Sequence, residues 1–486
     1  MLFNSIDFAI FLPIVFVFYW FITAKKLSLQ NLLIVIASYV FYGWWDWRFL
    51  SLILFSTVVD YIVGLSLEKQ ENITKRKILL WTSICVNLGF LGFFKYYNFF
   101  VENFISAFSF LGHEISPNTL NIVLPVGISF YTFQTLSYTI DVYKRKLEPT
   151  KDFIAFAAFV SFFPQLIAGP IERAKNLLPQ FYNKRVFDYH KAVDGLRQIL
   201  WGLFKKVVIA DNAAEFANLI FNNSDSYPGS ILFLGAVFFA FQIYGDFSGY
   251  SDIAIGTARL FGFDLMRNFA FPYFSRDIAE FWRRWHISLS TWFRDYLYIP
   301  LGGSRGGLWM KIRNTFIIFI VSGFWHGANW TFIVWGALNA IYFLPLLLAK
   351  KNRTHLDIVA QEKLLPTAKE AIRMLVTFGV TVIAWVFFRA ENITHAFSYV
   401  SEIFSKSILT LPKGSDFLGT ALHPFTMFSL IGIFILFEWL GREHQYAISQ
   451  LGLKWKRPFR YAFYYAVLIA IFWFGGKEQE FIYFQF

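Results

Sequence analysis

The run 315–343, TFIIFIVSGFWHGANWTFIVWGALNAIYF, holds one side chain that titrates near neutral pH, His326. Ionisable groups inside apolar segments are costly and are usually retained for function. A neutral imidazole, with an unperturbed pKa of about 6.5, can take the proton of an attacking hydroxyl. Gly323 and Gly327 remove bulk on both sides of it, so a substrate could come close, and Ser322 and Asn329 add polar contacts. The competing reading is a histidine that only satisfies a neighbouring helix.

A second histidine, His286, lies in EFWRRWHISLSTWFRD, residues 280–295, which reads as one helix. At helical spacing Glu280 reaches Arg283 and Arg284, and His286 reaches Ser290, while Arg294 and Asp295 close the segment. The alternative is a basic, Trp-rich helix lying in a membrane interface. Downstream, paired glycines and Arg305 form either an anion contact or a plain turn. Asp246 and Asp252, with Tyr244 and Tyr250 beside them, could orient a histidine or a sugar hydroxyl, or could glue helices together. They do not make a metal pair. No Walker loop, His-Glu-x-x-His or Gly-x-Ser-x-Gly is present, so nucleotide hydrolysis, zinc proteolysis and serine-hydrolase chemistry lack their signatures.

The elements that position these residues are set by composition. Of 486 residues 56% are hydrophobic and 16% charged, and 63 are Phe, against roughly half and a quarter in soluble domains. This predicts an all-α, polytopic membrane protein: a single membrane-embedded domain over 1–486 with its motif-rich core at about 122–345. The net charge of +12 sits in short clusters such as Lys75/Arg76/Lys77 and Lys144/Arg145/Lys146, which mark cytoplasmic loops and anionic lipid headgroups rather than nucleic acid. Cys85 stands alone, so no intrachain disulfide and no paired-cysteine metal site can form. The apolar run 6–21 has no basic flank before it and reads as a first membrane segment rather than a cleaved signal.

Spans are expected at 6–23, 48–66, 78–94, 122–140, 153–168, 230–245, 315–343, 371–388, 424–440 and 460–475, with ambiguous stretches at 31–44, 97–111 and 196–210, or about eleven in all. Lys25/Lys26 and the 75–77 cluster put the N-terminus outside, but if 78–94 and 97–111 both cross, the 144–146 cluster falls on the wrong side. The chain has no self-similar halves of the kind found in many transporters.

Seven segments in order, LPVGISFYTFQ at 124–134, 163–173, 244–252, 282–305, SGFWHGANW at 322–330, WVFFR at 385–389 and FIYFQF at 481–486, resemble the membrane-bound O-acyltransferase family in its bacterial, alginate-acetylating branch. The resemblance covers nearly the whole chain. It implies that His326 is the family's near-invariant intramembrane histidine and that His286 is its second polar position, 40 residues upstream. It makes Asp246, Tyr250, Asp252, Ser290, Arg294, Asp295, Arg305 and Asn329 candidates for lining a tunnel. It further implies acetyl transfer, with acetyl-coenzyme A as donor and no bound cofactor or metal, toward hydroxyls of an extracytoplasmic polysaccharide. A cell inner membrane location and a soluble periplasmic or extracellular acetyltransferase partner of the SGNH type go with it. The alternatives are D-alanyl transfer to teichoic acid by a related branch and export of a lipid-linked sugar.

Overall fold

In the computed structural model of the chain, residues 1–110, 120, 122–476 and 478–482 are described, and the secondary structure among them is helical throughout, with no strand. Five helical stretches among them are long and apolar enough to cross a membrane: Leu27–Lys69, Ile73–Ser109, Gly229–Leu260, Trp330–Leu348 and Ala368–Arg389. Shorter apolar helices occupy Ile6–Ile22, Phe153–Leu166 and Pro424–Leu440. Helix starts carry their own caps. Asn72 accepts from the Thr74 and Lys75 amides, and Thr367 and Glu370 form a reciprocal capping box, so the first-turn N–H groups are satisfied before the chain enters an apolar setting.

Contacts group the chain into two units. The first comprises 1–192 and 257–266. Its polar core is Asp60, fully buried, which accepts from Ser83 and, at 2.9 Å and 3.2 Å, from Asn87 and Thr139. Neutral donors on two other helices thus satisfy a buried carboxylate, as buried polar groups require. Two expected spans are interrupted here. The segment 122–127 is not helical, and the helix Ile128–Tyr143 starts only after Gly127, whose φ of 74° is left-handed; Pro125 just upstream has no amide to donate. The expected 153–168 span is two short buried helices, Phe153–Ser161 and Phe163–Leu166, with a break at Phe162 before Pro164.

The second unit comprises 193–256 and 267–486. The helix Gly229–Leu260 runs through it, and a Cβ on Gly202 would sit 2.7 Å from the Gly249 carbonyl oxygen. Small residues here let two backbones touch, as in membrane helix pairs. The expected span 315–343 is two helices, Leu308–His326 and Trp330–Leu348. Asn329 ends the run by capping the second helix through the Thr331 amide. The expected helix 280–295 also divides, into Ile278–Arg284 and Ile287–Phe293. Phe281 and Trp285 are buried, so the segment is not a helix lying exposed in an interface. Of the C-terminal 481–486 motif, 483–486 lie outside the described residues.

Candidate active site

His326 is the last residue of Leu308–His326, not a mid-helix residue. Its ring is enclosed by aromatic edges: Trp325 at 4.9 Å, Trp335 at 5.2 Å and Phe388 at 5.2 Å between centroids. Trp335 in turn stacks on Trp385 at 5.7 Å. The flanking glycines serve packing rather than substrate access. A Cβ on Gly323 would lie 2.1 Å from the Phe332 carbonyl oxygen, and one on Gly327 would lie 2.1 Å from the Phe332 ring. The space the glycines leave is filled by the second helix of the hairpin.

His286 sits at the break between the two short helices, with a left-handed φ of 44°. For a residue other than glycine this conformation costs on the order of 1–3 kcal/mol and persists only when the surroundings fix it. Here the Ile287 amide donates to the Asn268 main-chain oxygen at 2.9 Å, and His286 Nδ1 lies 3.1 Å from Asn268 Oδ1. The imidazole is 1% exposed and packs edge-on to Phe247 at 4.6 Å. On another side it faces Trp325 at 6.0 Å, so the two histidines flank one indole.

A cavity of about 250 Å³ opens between the elements that carry the two histidines, with walls that include Trp282, Ser290, Arg294, Thr315, Ser322 and Arg353; neither imidazole lines it. Ser290 is four residues after His286 and Ser322 four before His326, which places each serine one turn from a histidine. From Thr315 to Ser322 the cavity follows roughly 10 Å of helix. Its basic end is carried by the loop after Trp330–Leu348. Arg283 donates to the carbonyls of Asn352 and His355 at 2.8 Å and 2.6 Å, and Arg276 pairs with Asp357 at 3.1 Å. Hydrogen bonds from Arg276 hold the Asp357 carboxyl below the usual carboxylate range. Buried Glu280 fastens both Arg276, at 3.1 Å, and Arg284, at 2.7 Å. The expected pairing of Glu280 with Arg284 is present, whereas Arg283 turns to the loop.

The other expected site residues divide. Ser290 and Arg294 line the cavity, and Asp295 pairs with Arg294 at 2.8 Å. Arg305 is exposed in the following turn. Asn329 caps a helix and donates to the Glu391 carbonyl at 2.9 Å. Asp252 pairs with Lys205 at 2.5 Å and Asp246 with Lys206 at 2.9 Å, which is the helix-gluing alternative. Lys206 also meets Asp211 at 2.7 Å and the Gln479 carbonyl at 3.0 Å, and Asp246 accepts from the Ile482 amide at 2.7 Å. The Asp246–Lys206 pair therefore holds the C-terminal segment, and Tyr250 packs on Phe481 there at 4.7 Å. The sequence marks Arg353 only as part of the basic loop cluster Lys350/Lys351/Arg353, and gives Asn268 and both lysines no role. For the lysines there was one available signal, adjacent cations inside an apolar stretch.

The model of the membrane-bound O-acyltransferase family matches residues 144–387. The probable alginate O-acetylase of Azotobacter vinelandii is 40% identical over 91% of this chain and 85% of its own. The peptidoglycan O-acetyltransferase of Helicobacter pylori is 33% identical over 98% of this chain and 95% of its own. The teichoic acid D-alanyltransferase of Streptococcus thermophilus is 29% identical over 60% of this chain and 75% of its own. With half of the sequence under the family model and relatives of this identity along nearly its full length, the chain belongs to the membrane-bound O-acyltransferase family.

Proposed function

We propose that this membrane O-acyltransferase moves an acetyl group from acetyl-coenzyme A across the membrane toward hydroxyls of an extracytoplasmic polysaccharide, with His326 as the base and His286 as its partner in the site. The observation that carries the reading is the mostly apolar cavity walled by the helices that carry the two histidines, with Ser290 and Ser322 in its lining four residues from His286 and His326, and with Arg294 and Arg353 supplying its basic part. An acyl-pantetheine arm suits the apolar part. The phosphates of coenzyme A suit the arginines, whose planar forks bind phosphate oxygens.

Lys311 and Arg313 at the start of Leu308–His326 favour a cytoplasmic location for that end. The donor would then enter from the cytoplasm and react near the opposite end of the helix. In the reaction the acceptor oxygen attacks the thioester carbonyl, its proton passes to the imidazole, and the C–S bond breaks as the thiolate takes a proton back. Holding donor and acceptor in line lowers the barrier further, because the translational and rotational freedom is lost on binding rather than in the reaction step.

The same reading places the chain in the cell inner membrane as one embedded domain with about eleven passages. It hands acetyl to a soluble SGNH-type acetyltransferase outside. The test is reconstitution with acetyl-labelled coenzyme A, with a D-alanine carrier protein in parallel. Label reaching a glycan or a partner only from acetyl-coenzyme A supports the reading. Label from the D-alanine carrier alone, or glycan flux without label, refutes it.

A further inference from the structure

We infer that Asn268 is a positioning residue that fixes the tautomer of His286, so that Nδ1 carries the ring proton and Nε2 the lone pair. The inference deepens the proposed function and rests on the part given there to His286. Asn268 is fully buried and contacts the histidine turn through both backbone and side chain. Its main-chain oxygen accepts from the Ile287 amide at 2.9 Å. Its side-chain Oδ1 accepts from the Ser288 amide at 3.3 Å and from the Ser288 hydroxyl at 2.9 Å.

A backbone N–H can only donate, so the end of the Asn268 amide that faces this turn is its oxygen. The opposite end agrees, since Nδ2 donates to Ser251 Oγ at 3.1 Å. His286 Nδ1 lies 3.1 Å from that same Oδ1. An amide oxygen has no proton to give, so the proton in this contact belongs to Nδ1. The Ser288 hydroxyl, 3.5 Å from Nδ1, has the nearer Asn268 oxygen to donate to. A ring so fixed presents Nε2 as its acceptor, the form needed to receive or orient a hydroxyl proton.

The experiment is 15N NMR of histidine-labelled full-length protein in lipid nanodiscs, with His286 assigned by difference from His286→Ala, alongside acetyl-transfer kinetics. The wild type should give a protonated Nδ1 and an unprotonated Nε2. Asn268→Leu, which keeps bulk but has no acceptor, should lose that signature and lower kcat about tenfold or more with KM for acetyl-coenzyme A unchanged. Asn268→Asp keeps an acceptor oxygen at the same place and should restore the Nδ1–H signal. An Nε2–H tautomer in the wild type, an unchanged tautomer in Asn268→Leu, or full kcat in Asn268→Leu with the signature lost would overturn the inference. If Asn268→Leu does not fold, the wild-type and Asn268→Asp spectra decide. Undiminished transfer by His286→Ala would instead remove the role of His286 and leave the tautomer result standing.

Discussion

The two histidine turns are built in opposite ways. His326 ends a long helix, and its position follows from packing: a close-packed hairpin fixes the backbone and three aromatic rings enclose the imidazole. His286 sits between two seven-residue helices, and its position follows from polar contacts with Asn268 and from the ionic cluster around Glu280. Packing tolerates loss of a polar partner but not added bulk, whereas a hydrogen-bonded turn responds the other way. The contrast teaches that the site has two supports of different kinds, joined at Trp325 and through Trp282 on Trp335, and that they fail under different substitutions.

The largest effect is expected on the polar side. Glu280→Gln removes a buried carboxylate from two arginines; Arg276 keeps Asp357 and Glu370, so the cost stays below the roughly 3–5 kcal/mol of a fully uncompensated buried charge. A lower unfolding temperature in detergent, with transfer lost in parallel, would agree; an unchanged temperature would mean that the cluster does not support the His286 turn. Next comes the packing side. Gly323→Ala forces a Cβ against the Phe332 carbonyl oxygen, and such overpacking costs about 1–3 kcal/mol. Here the hairpin must open, so transfer should fall although no reacting group has changed. Wild-type transfer and stability in this variant would show that the hairpin tolerates separation.

At the cavity, Arg353→Ala should raise KM for acetyl-coenzyme A about tenfold, or about 1.4 kcal/mol, with kcat unchanged. A fall in kcat alone would place Arg353 elsewhere in the reaction. The smallest effect belongs to Asp357. Its carboxyl is held low by Arg276, so its contribution is present above the unfolded carboxylate pKa of about 3.9 and fades as pH falls through the lowered folded value. Asp357→Asn at neutral pH should mimic that acid loosening. The backbone bond from Arg276 to the Asp357 carbonyl at 2.9 Å remains to hold the loop, so only a slight rise in KM is expected.

Much of this arrangement is legible in the residues. The isolation of His326 in an apolar run and the charges around His286 draw attention to both, the resemblance decides between their alternatives and adds Arg294, and Ser290 follows from helical spacing. The division of the 315–343 run is harder to see, because apolar residues continue from one helix into the next and only Asn329 signals the cap between them. The glycines beside His326 invite a reading of open space, yet what occupies that space is Phe332, nearby in sequence but folded back from the next helix. Asn268 lies 18 residues from His286 in a segment without helical or strand periodicity, so no local pattern reports its contact. The lysine partners of Asp246 and Asp252 lie 40 and 47 residues upstream, where spacing along one helix carries no information.

The most direct test of the account is single-turnover acetyl transfer by His326→Ala in nanodiscs, with donor binding measured on the same sample. The account predicts a folded protein that binds acetyl-coenzyme A with wild-type affinity and transfers nothing above background. Transfer at the wild-type rate would contradict it.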